Sequence, residues 1–215
     1  MDKVNIFDAI DANKRNSVLL MLVMGGLLLM AVSAVGILFG LGDSGFILAL
    51  LLTAIYIFFA YGAGASTVLS ISGARELSEK DEPFLQNVVE GLALAAGIPK
   101  PRIWIIEDKG MNAFATGMDP KNSHIVFTRG LLNTMSREEL EGVAAHEISH
   151  IGNYDIRFAT LAVVMLGAIA ILGDITWRLG FFGGFGRGRE ERGHGGGGAI
   201  VMVIALVFAI LAPIF

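Results

Sequence analysis

The chain has 215 residues, of which 54% are hydrophobic and only 17% charged, with a formal net charge of −4 and a mean hydropathy of +0.66. That balance excludes an ordinary soluble domain, and without a Lys/Arg-rich face it excludes a nucleic-acid partner. There is no cysteine, which excludes disulfides and thiolate metal sites, so any metal must be held by nitrogen and oxygen.

Residues 1–17 form a short polar lead in which Phe7 and Ile10 fall on one side, suited to a turn of interfacial helix. Residues 18–41 follow without a charge, and residues 46–70 form a second uncharged run after the turn Gly42-Asp43-Ser44-Gly45. Each run exceeds the roughly 20 residues that a helix needs to cross a bilayer, so residues 18–70 are predicted to be a transmembrane helical hairpin. The first run is longer than the apolar part of a signal peptide and a second span follows at once, which marks it as a retained anchor.

Residues 74–157 alone have the composition of a soluble unit. The apolar period of Phe84, Val88, Leu92 and Ala95 predicts a helix over 83–96 that stops at Gly97. Residues 102–106 are β-branched and aromatic and predict a strand. Residues 112–116 and 124–128, separated by Gly117-Met118-Asp119-Pro120-Lys121-Asn122, predict a hairpin. His124 lies in that hairpin and reads as a surface or packing residue. Further on, residues 158–175 are a third hydrophobic helix interrupted by Asp174, residues 176–198 a Gly/Arg-rich loop that carries His194, and residues 199–215 a fourth hydrophobic helix. The last two runs are near the minimum length, so spans, core helices and a re-entrant hairpin all stay open.

Basic residues set the expected orientation. Three precede the first run, none lies in the turn after it, and nine fall between Arg75 and Arg157. The amino terminus and the unit 74–157 are therefore expected on the cytoplasmic side. Arg178, Arg187, Arg189 and Arg192 run against this if runs three and four both cross.

The chemistry resides in His146-Glu147-Ile148-Ser149-His150, an H-E-x-x-H segment holding two of the four histidines. Ser136-Arg137-Glu138-Glu139 before it has the pattern of a capping box. Leu140, Val143, Ala144, Ile148 and Ile151 then recur at helical spacing, so the motif is placed on a helix buried on one side. Residues four apart on a helix nearly overlie each other, so His146 and His150 can offer ring nitrogens to one ion. Glu147 lies one step of about 100° around, where it can act on water as a general base without binding the metal. This is the pattern of a zinc peptidase.

The chain resembles the HtpX family of membrane metalloproteases, relatives of the CAAX prenyl endopeptidases and of a mitochondrial inner-membrane quality-control peptidase. The resemblance is carried by Met111-Asn112-Ala113-Phe114-Ala115-Thr116-Gly117, by Gly130-Leu131-Leu132, and by the stretch from Ser136 through the H-E-x-x-H motif to Ile151-Gly152-Asn153-Tyr154-Asp155. It implies a membrane α-helical protein with a small cytoplasmic α+β zincin-like catalytic unit. It also implies one Zn2+ held by His146 and His150 with Glu147 as general base, and an edge strand at Asn112, Ala113, Phe114 and Ala115 that pairs with substrate. The implied role is quality control of damaged membrane proteins in the inner membrane of a prokaryote. Its expected partners are protein substrates, the lipid bilayer and other membrane proteases or chaperones.

The family's third zinc ligand is a glutamate beyond the fourth hydrophobic run, hence expected beyond Phe215. Of the carboxylates that follow the motif, Asp155 is five residues past His150, about 140° around a continuous helix. It is expected to orient a ligand or pair with a cation. Asp174 lies roughly 30 Å further along if the run is helical, and Glu190 and Glu191 lie in the glycine-rich loop. The 215-residue chain is accordingly expected to be a fragment with little activity of its own. A membrane scaffold lacking a complete zinc site is the alternative reading, and a transporter subunit is disfavoured by spans without intramembrane charge.

Overall fold

The computed structural model describes residues 6–38 and 40–179. It contains two compact units, one of Met1–Leu20 with Ala60–Val164 and one of Met21–Phe59 with Met165–Phe215.

The two uncharged runs fold as α1 (Ile6–Leu38) and α2 (Gly42–Ile71). Each holds a 30-residue segment long and apolar enough to cross a membrane, Asp8–Ile37 and Gly42–Ile71. Most of the polar lead is thus the start of α1. In the second unit Met24, Leu28, Ala31 and Ala34 of α1 and Ala49 and Thr53 of α2 are buried, while Leu22, Met30, Phe46, Leu51, Ile55 and Phe58 are exposed. An apolar exterior on helices that satisfy their own backbone is the surface a hydrocarbon solvent requires.

In the first unit a four-stranded sheet is built from β1 (Arg75–Glu76), β2 (Arg102–Ile106), β3 (Ala113–Gly117) and β4 (Ser123–Thr128), in the order β1-β2-β4-β3. Strands β2 and β4 are parallel, with Ile103 opposite Ile125 and Ile105 opposite Phe127. The other pairings are antiparallel, and Ala115 of β3 lies opposite Ile125. Alternate residues of a strand face one side, so Ile103, Ile105, Ile125 and Phe127 form one apolar layer. Onto it pack Leu85 and Val89 of α3 (Pro83–Ala96) and Leu140, Ala144 and Ile148 of α5 (Arg137–Gly152). Burial of each large aliphatic side chain contributes about 1.5–3 kcal/mol, so this layer holds α5 in place.

Two glycines are fixed by backbone approach. Gly117 has φ +149°, and a Cβ there would come 2.5 Å from the Asn122 carbonyl oxygen at the β3–β4 turn. Gly130, in α4 (Arg129–Thr134), passes so close to the β2–β3 connection that a Cβ would lie 2.1 Å from the Lys109 carbonyl oxygen. Beside it Arg129 forms ion pairs with Glu82 at 2.6 Å and Glu107 at 3.1 Å. The Arg129 guanidinium, with Arg75, holds the Glu107 carboxyl below the usual carboxylate range.

The helix expected over 83–96 and the strand expected over 102–106 coincide with α3 and β2, and the hairpin strands shift by one residue. The third hydrophobic run lies within α6 (Asp155–Leu179). Helix α6 meets the spanning criterion only together with α5, from which it is bent by 84°. Residues 180–215, with His194, Glu190, Glu191 and the fourth run, lie outside the described residues.

Candidate metal centre

Helix α5 begins as its sequence dictates. Ser136 Oγ accepts from Glu139 N–H at 3.3 Å, and Glu139 Oε2 accepts from Ser136 N–H at 2.8 Å. Leu140, Ala144, Ile148 and Ile151 are buried, which turns the opposite side outward: His146 is exposed, and Glu147 and His150 are half-buried.

The two imidazoles meet. His146 Nε2 and His150 Nε2 lie 3.2 Å apart, with ring centres 4.6 Å apart and the rings steeply inclined at 83°. Two nitrogens that bind one tetrahedral zinc at about 2.0–2.1 Å are about 3.3–3.4 Å apart, so the pair fits the ion.

Asp155 decides which nitrogen of His150 is available. Its Oδ2 accepts a hydrogen bond from His150 Nδ1 at 2.8 Å. An acceptor carboxylate keeps the proton on Nδ1 and leaves the Nε2 lone pair for a metal. The continuous-helix projection for Asp155 does not apply, because the helix breaks first. Asn153 is the C-cap of α5, Tyr154 adopts φ +62°, and Asp155 opens α6. The break turns the Asp155 side chain back toward the His150 ring.

Strand β3 lies at the sheet edge and packs against α5. The Asn112 backbone is clamped to β4: its N–H donates to Thr128 Oγ1 at 2.9 Å, and its carbonyl accepts from Thr128 N–H at 3.0 Å. Gly117 N–H instead donates to Thr160 Oγ1 of α6 at 3.1 Å, away from β4. Successive amides alternate in direction, so Ala113 and Ala115 turn their N–H groups to the open edge, while Phe114 faces the ladder.

Among the described residues the remaining candidates do not join the two imidazoles in a metal-holding group. His124 is on β4, where its Nδ1 accepts from Trp104 Nε1–H at 3.0 Å; burial, then Arg102, holds its pKa below the usual value. Asp174 is an exposed residue of α6. Among the described residues no group of three or more His, Asp or Glu side chains is placed to hold a metal ion. The glutamate expected beyond Phe215 lies outside the described residues. Sequence reasoning missed Asn13, whose side chain reaches Asp155; nothing in the spacing of the lead links it to the motif.

Two apolar helices of spanning length and an α+β unit that offers paired imidazoles beside a glutamate define the class, a membrane metalloprotease. Residues 79–214 match the family model described as Peptidase family M48. A "Protease HtpX homolog" of Dictyoglomus turgidum is 44% identical over 213 residues, covering 99% of this chain and 68% of the relative. Proteins of the same name from Listeria monocytogenes serotype 4a and Streptococcus gordonii are 44% and 41% identical, covering 97% of this chain and 71% of each relative. The chain belongs to peptidase family M48 and, within it, to the HtpX proteases.

Proposed function

We propose that this protein is a zinc metalloendopeptidase of the inner membrane that hydrolyses damaged or misfolded membrane proteins from the cytoplasmic side. The observation that carries the reading is the pair of Nε2 atoms 3.2 Å apart on one helix, with the His150 ring oriented through Nδ1 by Asp155.

His146 and His150 would hold the zinc. When bound, zinc supplies Lewis acidity that polarises the scissile carbonyl and lowers the pKa of water. Glu147, adjacent to His146 on the helix, takes a proton from the attacking water and delivers it to the leaving amine nitrogen. The Asn112–Ala115 segment pairs with an extended substrate through the outward amides of Ala113 and Ala115. Backbone pairing gives affinity with little sequence preference, which suits removal of varied damaged proteins. The bilayer confines enzyme and substrate to one surface, where other membrane proteases or chaperones would meet the same clients.

The test is cleavage of a destabilised membrane protein by the full-length protein in reconstituted vesicles, with zinc content measured on the same preparations. Glu147→Gln is expected to lower cleavage roughly 100- to 10,000-fold, the range of general acid–base contributions, with zinc retained. His146→Ala is expected to lose both. Loss of zinc in Glu147→Gln would make Glu147 a ligand and overturn the assignment of roles.

A further inference from the structure

We infer that Asn13, in the polar lead of α1, is a positioning residue for the His150 imidazole, acting through Asp155; this rests on the reading of His146 and His150 as zinc ligands. Asn13 Nδ2 donates to Asp155 Oδ1 and, at 3.0 Å, to the Asn153 carbonyl oxygen. Asp155 Oδ2 accepts from His150 Nδ1. The two oxygens of one carboxylate are thus divided between the imidazole and the amide of Asn13. The terminal torsion of an aspartate is soft, so a carboxylate held at one oxygen alone can swing. Holding the second oxygen fixes the plane that the His150 ring must follow.

The same contacts secure the break between α5 and α6. Asn153 ends α5 and Asp155 begins α6, so Asn13 bridges both ends. Between them Tyr154 sits at φ +62°, a left-handed conformation that disfavours a residue with a Cβ and persists only where its surroundings hold it. Lys14 Nζ lies 4.4 Å from the centre of the Tyr154 ring and the Arg157 guanidinium 5.2 Å. Asn13 is itself anchored, since its carbonyl accepts from the buried Ser17 hydroxyl at 2.8 Å. The polar start of α1 therefore grips the point where the chain turns to bring Asp155 under His150.

The experiment measures zinc affinity of the full chain in detergent by competition with a chromophoric chelator, for the parent, Asn13→Ala, Asp155→Ala and their double variant. Outer partners of metal-binding histidines are worth about 10–100-fold in affinity, so Asp155→Ala is expected to weaken zinc within that range. Asn13→Ala is expected to weaken it roughly three- to tenfold, and by less than about twofold once Asp155 is already alanine, because the two act on one path. Asn16→Ala, an exposed position on the same helix, is expected to leave affinity unchanged. An equal loss from Asn13→Ala in both backgrounds, or no loss in either, overturns the inference.

If Asn13→Ala does not fold, the charge swap decides. Asn13→Asp sets two carboxylates against each other and is expected to weaken zinc. Adding Asp155→Asn restores an amide–carboxylate pair and is expected to recover part of the loss; failure to recover counts against the positioning role. His150→Ala runs alongside: unchanged zinc affinity there would overturn the zinc-site reading itself. Normal loss in His150→Ala without coupling between Asn13 and Asp155 would overturn only the role of Asn13.

Discussion

Ala113 and Ala115 differ from Phe114 in the direction of their amides, and the proposed pairing with substrate rests on that difference. The clamp of Thr128 on Asn112 and the bond from Gly117 to Thr160 fix the phase of the strand at both ends. Ala115→Pro would remove one outward donor while leaving the ladder to β4 intact, since proline is tolerated where the lost N–H faces away from the sheet. A backbone hydrogen bond contributes about 0.5–1.5 kcal/mol net, so kcat/KM for an unfolded protein substrate is expected to fall roughly two- to tenfold, with zinc affinity unchanged. Phe114→Pro, which deletes a donor to β4, should instead lower thermal stability. An Ala115→Pro enzyme with undiminished kcat/KM would remove β-addition from the account. The same logic of paired groups explains Asp155, whose worth lies in having both oxygens engaged.

At the scale of elements, α5 is the one on which chemistry depends, and its start is open to direct test. Ser136→Ala deletes the acceptor for Glu139 N–H and is expected to cost about 1 kcal/mol, read as a lower melting temperature. The Ser136 backbone N–H holds the Glu139 carboxyl below its ordinary value. A carboxyl with a lowered folded pKa binds fewer protons folded than unfolded, so its contribution is present above the ordinary carboxylate range and is lost as pH falls through the lowered value. The melting-temperature gap between parent and Glu139→Ala should accordingly close on acidification below about pH 4.5, the ordinary value; a gap independent of pH would show that Glu139 acts by packing. Helix α5 was legible in sequence because local rules specify it: a cap, a period and a motif lie within 16 residues. Helix α3 and strand β2 were legible for the same reason. What escaped was non-local. The parallel pairing of β2 with β4 joins strands separated by the whole of β3, and the two-residue β1 exists only because β2 offers an edge. The direction of the turn at Tyr154 escaped, because its positive φ is supported by non-local contacts with Lys14 and Arg157 rather than by its own preference, and with it went the geometry by which Asp155 reaches His150. Asn13 escaped for the same reason: 142 residues separate it from Asp155.

For the whole molecule, the question is which side of the membrane the metal centre faces. Helices α1 and α2 are each long enough to cross, and only Gly40 and Leu41, outside any helix, break the chain between α1 and α2 among the described residues. Three basic residues precede the uncharged run 18–41, and nine lie from Arg75 to Arg157. Basic residues near spans are retained on the cytoplasmic side, so the start of α1 and the sheet with α5 are expected to face the same compartment. The bond from Asn13 to Asp155 demands that too, because both ends of a hydrogen bond must share one side. The absence of native cysteine makes the test clean. Single cysteines at Ser78 and Lys121, both exposed and both outside the two spans, should react with a membrane-impermeant maleimide only after the cytoplasmic side is opened. A third cysteine at Ser44, in the first turn of α2 beside the turn between the spans, should react from the outside without lysis. Labelling of Ser78 and Lys121 in intact cells would invert the orientation, and labelling of all three from one side would mean that α1 and α2 do not cross.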